Sequence, residues 1–102
     1  MSLVVVATMT PQPGKLGQLT DAFEQVASAI QAEPGCELYA IHSDGHVVVT
    51  IERWESEAAL DVHMKAPSVT TLLKQGPMFL AKAPEIVPMQ ALGFGDPVKG
   101  MI

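Results

Sequence analysis

His63 is the residue of this chain best suited to move a proton. It follows Leu60 by three positions in a stretch that reads as a short helix, so the two share one helical face, and an imidazole changes charge near neutral pH. The competing reading is a packing histidine satisfied by a backbone carbonyl. Tyr39 and Trp54 could flank a planar ligand or, alternatively, fill the core of an interface. Glu37 and Glu52 are expected to oppose each other across a β ladder. Like charges so placed either sit in water, the expectation at a sheet end, or raise one pKa enough to make a base. Arg53 should point to the opposite side of its strand from both. His42 and His46 have the spacing of a metal pair, but the expected register puts them on opposite sheet faces, so no zinc or iron site is expected even with Cys36 in the chain.

These side chains need elements to place them. Leu3–Met9 is rich in β-branched residues and ends at Thr10-Pro11-Gln12-Pro13-Gly14, which predicts a first strand. Leu16, Leu19, Phe23, Val26 and Ile30 recur at spacings of 3, 4, 3 and 4. That is an apolar stripe on a helix that Pro34-Gly35 must end, with Gln18, Asp21, Gln25 and Gln31 on its wet face. Residues 36–54 read as a hairpin about a two-residue type I′ turn, Asp44-Gly45. Ser56 caps a short helix reaching Lys65, Ala66-Pro67 interrupts it, and a second helical piece from Ser68 stops at Gly76-Pro77. A last strand over residues 85–92 contains Pro88, which lacks an amide hydrogen and so belongs at an edge, at a bulge or in a segment crossing to a neighbour. The order strand, helix, strand, strand, helix, strand predicts an α+β, ferredoxin-like fold over residues 1–92, with an antiparallel sheet and helices on one face. Residues 93–102 read as an irregular tail.

With Ser43 opposite His46, one sheet face collects Leu38, Ala40, His42, Val47, Val49 and Ile51, and the other Glu37, Tyr39, Ile41, Val48, Thr50, Glu52 and Trp54. The first, nearly pure apolar, is expected under the helices. The mixed face would then lie bare, and its large apolar residues need a cover that a second copy, packed face to face, would supply. A chain this short has little room for a deep pocket of its own. The space between two mixed faces would therefore be the small-molecule site, with Trp54, Tyr39, Glu52, Thr50 and Val48 as ligand contacts.

Composition removes several function classes. With 48% apolar and 17% charged residues the chain is no disordered linker. Its net charge of −5, with basic residues scattered from Lys15 to Lys99, argues against a nucleic-acid partner. No apolar run is long enough to span a membrane, and residues 3–7 are too short, and lack the basic flank, for a signal peptide. A single cysteine fits a reducing compartment, so a cytoplasmic protein is expected. Met9, Met64, Met78 and Met89 read as flexible packing that would also suit an adaptable pocket wall.

Glu52-Arg53-Trp54-Glu55-Ser56-Glu57-Ala58-Ala59-Leu60-Asp61-Val62-His63 resembles the signature of the antibiotic biosynthesis monooxygenase family: Glu-x-Trp at a strand end, a Ser cap, Ala-Leu and a His on the next helix. Glu33-Pro34-Gly35-Cys36, with Tyr39, resembles the start of that family's second strand. The resemblance implies a dimeric α+β barrel in which some members oxidise phenols or hydroquinones with O2 and no metal, flavin or other cofactor, using a dry pocket, a base and donors for the developing oxyanion. It makes His63 the expected base. The family often places a second His shortly after the first; this chain has Ala66-Pro67-Ser68-Val69 there. The haem-degrading branch uses an Asn on the first strand and a Trp and a His about ten residues apart. Thr8, His63 and Leu73 stand in those places here, which disfavours haem. The expected function is cofactor-independent oxidation of a small aromatic by a homodimer; the rivals are a non-catalytic binding or sensing protein and a proton-transfer isomerase on the same scaffold.

Overall fold

A computed structural model describes residues 2–102; Met1, the first residue of the expected domain, lies outside them. The chain runs β1 (Leu3–Met9), α1 (Leu16–Gln31), β2 (Cys36–Ser43), β3 (Val48–Trp54), α2 (Glu57–Met64), α3 (Pro67–Phe79) and β4 (Glu85–Met89). The strands form one antiparallel sheet in the order β2-β3-β1-β4, the ferredoxin-like arrangement, with the helices on one face. Pro88 sits in the edge strand β4, opposite Val5, where its missing donor breaks no ladder between two neighbours. No described helix is long and apolar enough to cross a membrane.

Helix α1 buries Leu19, Phe23 and Ile30 of the anticipated stripe and turns Gln18, Asp21, Gln25 and Gln31 outward. Ser56 caps α2 by accepting from Ala59 N at 3.1 Å. Helix α3 does not stop at Gly76-Pro77. It begins with Pro67 at its N-terminus, where a missing amide hydrogen costs nothing, and runs through Pro77 to Phe79. The ladder resumes with Leu80 N donating to Gly76 O at 2.7 Å, and Gly76 is buried and lines the interior cavity.

The hairpin differs from the expected one in its turn. Ser43 pairs with Val48, leaving a four-residue loop in place of a two-residue turn. Gly45 alone takes a positive φ, +91°. Asp44 stays in an ordinary conformation because its carboxylate caps the loop, accepting from His46 N at 2.8 Å and Val47 N at 3.0 Å. Those two amides hold the Asp44 carboxyl below the usual carboxylate range. His46 is thus an exposed loop residue outside the ladder. The slip is by two residues, so the alternation of faces survives, and Tyr39, not Glu37, lies opposite Glu52. A bulge between Cys36 and Leu38 turns Glu37 toward Arg53, whose Nε donates to it at 3.1 Å, while Ser2 donates at 2.6 Å. Arg53 therefore does pair with Glu37, contrary to the expectation from a regular strand. The Ser2 hydroxyl, ahead of Arg53, keeps the Glu37 carboxyl below its ordinary value.

The larger correction concerns which face is covered. Tyr39, Val48, Thr50, Glu52 and Trp54 are all buried, together with Val5, Ala7 and Met9 of β1, so the mixed face lies under the helices. The pure apolar face is the bare one: Val4, Val6, Leu38, Ala40, Val49 and Ile51 are only half-buried, and Val87 and Met89 beside them are exposed. The mixed face tolerates cover because its polar groups satisfy one another, as the site below makes plain.

Candidate active site

Between the covered face and the helices lies a cavity of about 410 Å³, within one chain. A chain of 102 residues therefore does hold a private pocket, of the size that takes a small ligand. Its walls are apolar: Val5, Ala7 and Met9 from β1, Leu19 and Phe23 from α1, Leu72 and Gly76 from α3. Met9 and Met64 line it, whereas Met78 and Met89 are exposed. Its polar lining is Tyr39, Thr50, Glu52 and His63, with Lys82 at the exposed rim paired to Glu85 at 2.7 Å.

Alternation along β3 sends Thr50, Glu52 and Trp54 to the same side, two residues apart. The Thr50 hydroxyl donates to Glu52 Oε2 at 2.7 Å and the Trp54 indole N–H to Oε1 at 2.9 Å. Both carboxylate oxygens of a residue only 4% exposed are thus held. Helix α2 buries Leu60 and His63 one turn apart. The His63 ring stacks obliquely on Trp54, centroids 4.3 Å apart, and leans on Tyr39 at 5.9 Å. Its Nδ1 contacts Glu33 Oε1 at 2.8 Å, and its Nε2 lies 4.0 Å from Glu52 Oε1. The imidazole therefore stands between two carboxylates, and the reading as a histidine satisfied by a backbone carbonyl does not describe it.

Glu33 reaches His63 because the chain after α1 is pressed against α2. Gly35, at φ +81°, approaches so closely that a Cβ there would sit 2.5 Å from the Ala59 Cβ, and its carbonyl accepts from Glu55 N at 2.8 Å. Ala59 precedes His63 by one helical turn. Burial, then the charges of Glu52 and Glu33, push the Tyr39 phenol far above its ordinary value of 10.0, so Tyr39 is an O–H donor and no base. Burial and the same carboxylates raise the Cys36 thiol, with Glu33 ahead of Glu52, which leaves it a poor nucleophile.

Of the residues anticipated from sequence, His63, Tyr39, Thr50 and Glu52 meet at one end of the cavity. Trp54 and Val48 are fully buried outside its lining; Trp54 serves the site by orienting Glu52 and backing His63. Among the described residues no cluster of His, Cys, Asp and Glu is disposed to hold a metal ion. The sequence shows the motif that contains Glu33 but not its place at the site, because nothing local tells that a carboxylate after α1 meets an imidazole thirty positions on. Leu19 and Phe23 read as core stripe and are that, but they are also cavity wall.

A family model described as antibiotic biosynthesis monooxygenase matches residues 2–75. Rv0793 of Mycobacterium tuberculosis, assigned by name to the monooxygenases, is 31% identical over 67 residues, 64% of this chain and 66% of its own length; the chain thus spans about two thirds of that relative. The solved structure of Rv0793 superposes with a TM-score of 0.83 at 26% identity, covering 90% of this chain and 96% of that one. PA3566 from Pseudomonas aeruginosa gives 0.83 at 26% identity, covering 89% and 94%. A Caulobacter crescentus protein named for the same family gives 0.80 at 27% identity, covering 89% and 90%. With a family match across well over half its length, the chain belongs to the antibiotic biosynthesis monooxygenase family.

Proposed function

We propose that this protein is a cofactor-independent monooxygenase that oxidises a small phenol or hydroquinone with O2, acting as a cytoplasmic homodimer. The observation that carries the proposal is the placement of His63 at the polar end of an apolar cavity, between Glu33 and Glu52. His63 Nε2 takes the phenolic proton, and the two carboxylates stabilise the imidazolium that results. The phenolate is electron-rich enough to reduce O2 itself. A ring C–H becomes C=O, the second oxygen atom leaves as water with the two hydrogens lost from O–H and C–H, and no outside reductant is consumed. Apolar walls keep water from the intermediate, and the protonated Tyr39 hydroxyl is the donor available to the ring oxygen. The bare face supports the homodimer, since a sheet surface whose middle is all apolar gains from a protein cover.

A non-catalytic binding protein is the second reading. The observation favouring it is that the Thr50 and Trp54 donors are already spent on Glu52, which leaves few to hold an oxyanion. Oxygen consumption separates the two. A panel of hydroquinones and polyketide-like phenols is expected to draw O2 above the spontaneous rate, and His63→Ala to lower the rate by on the order of 100-fold or more. No uptake above the spontaneous rate across the panel refutes the oxygenase and leaves the binder.

A further inference from the structure

Resting on the reading of the cavity as a ligand site, we propose that Glu33 is a positioning residue that fixes His63 in the tautomer with the proton on Nδ1, so that the site takes a neutral ligand through a hydroxyl the ligand donates, and rejects the same ring carrying a carboxylate. Glu33 does not line the cavity, whereas His63 and Glu52 do. The 2.8 Å contact from Glu33 Oε1 to Nδ1 therefore lies behind the imidazole, and the Nε2 edge, 4.0 Å from Glu52 Oε1, is the one turned to the ligand space. An ionised carboxylate only accepts, so in the neutral imidazole the Nδ1 must be the donor and Nε2 is left with its lone pair. Trp54 holds Glu52 Oε1 from one side only. Nε2 and Oε1 are thus two acceptors facing one gap, which a ligand O–H can fill and an anion cannot.

Charge agrees with that geometry. Glu33 and Glu52 are both largely withdrawn from water, and Glu33 Oε2 has no hydrogen-bond partner although it is buried. The one basic residue of the lining, Lys82, is at the rim and engaged with Glu85. A carboxylate or phosphate brought to Nε2 of the neutral imidazole would meet the negative charges of Glu33 and Glu52 with no lysine or arginine beside it, a juxtaposition of like charges in a desolvated site.

Two readouts test this, one of which needs no ligand and no turnover. In 15N-histidine spectra at pH 8, two of the three histidines, His42 and His46, are exposed, so His63 stands apart. The expected result for its neutral form is a protonated Nδ1 and a bare Nε2; in Glu33→Gln, whose amide can donate as well as accept, that preference collapses, and Glu33→Asp restores it in part. A proton on Nε2 of neutral His63 in the wild type, or an unchanged tautomer in Glu33→Gln, overturns the role of Glu33. For the ligand class, hydroquinone and its carboxylate derivative gentisate are titrated in O2-free buffer by calorimetry. The wild type is expected to bind hydroquinone about tenfold or more tightly than gentisate. Equal affinities, tighter binding of gentisate, or no binding of hydroquinone overturns the ligand class. Because these measurements exclude O2, failure of the oxygenase reading shows only in oxygen uptake and is separable from either result.

Discussion

The two faces of the sheet differ in a way opposite to simple hydrophobic sorting. The face under the helices carries Thr50, Glu52 and Tyr39; the face left bare carries Val4, Val6, Leu38, Ala40, Val49 and Ile51. Polar residues can lie inside when they satisfy one another, as Thr50 and Trp54 satisfy Glu52, and when a ligand space needs them there. The bare face, polar only toward the strand ends at Thr8, His42, Arg53 and Glu85, has no such buried network, and on the proposed reading it meets another protein surface. On that proposed reading the covered face is the ligand face, and the bare one the partner face.

Neighbouring valines on opposite faces sharpen that contrast most. Val48→Asp places an unpaired charge in a fully buried position and should cost about 4 kcal/mol or more, enough to unfold much of the population. Val49→Asp should change chain stability by no more than about 1 kcal/mol but convert a dimer into a monomer. Denaturant titration and sedimentation read both; comparable stability losses at the two positions would erase the distinction between faces. Gly35→Ala should come next, losing about 1–3 kcal/mol to the strained positive φ and to the Ala59 contact, and loosening Glu33 from His63. Glu52→Gln keeps an accepting oxygen for the Trp54 N–H but turns the Thr50 hydroxyl from donor to acceptor and replaces two charge-assisted bonds by neutral ones, so a loss of about 1 kcal/mol is expected in the same titration, with weaker binding of hydroxylated aromatics.

The smallest effect is on pH dependence. Tyr39 is the only tyrosine, and its folded value lies above the 10.0 of an ordinary phenol. Below that pH both folded and unfolded chains keep the proton and stability is unaffected. Above it the unfolded chain releases the proton while the folded one retains it, so stability falls as pH rises. Absorbance at 295 nm should stay flat in the folded protein to about pH 11 and rise only on unfolding, and Tyr39→Phe should remove the alkaline slope. A rise at ordinary phenol pH in folded protein would mean that Tyr39 is not enclosed.

Local patterns in the sequence carried much of this architecture. The 3,4 spacing placed α1, Ser56 placed the start of α2, and strand alternation put Tyr39, Thr50, Glu52 and Trp54 on one side with His63 facing inward from its helix. What stayed hidden was tertiary. Hydropathy assigned the wrong face to the core because it counts Glu52 and Thr50 as polar without seeing that Trp54 and Thr50 neutralise their cost. The Asp44-Gly45 pair suggested a tight turn because the capping reach of the Asp44 side chain to two amides is not visible in a dipeptide. Pro77 looked like a helix end, yet α3 continues through it, with Leu80 N bonded to Gly76 O. The Glu33 to His63 contact depends on how closely Gly35 approaches Ala59, a distance that exists only once the chain is folded.

The assignment of ligand chemistry to the covered face is tested most directly by adding hydroquinone to 15N- and methyl-labelled protein in O2-free buffer and mapping the shifts. The expected perturbations fall on Ala7, Tyr39, Thr50, Glu52 and His63 and leave Val4, Val6, Val49 and Ile51 unmoved. Shifts concentrated on Val4, Val6, Val49 and Ile51 would place the ligand on the bare face and contradict the account.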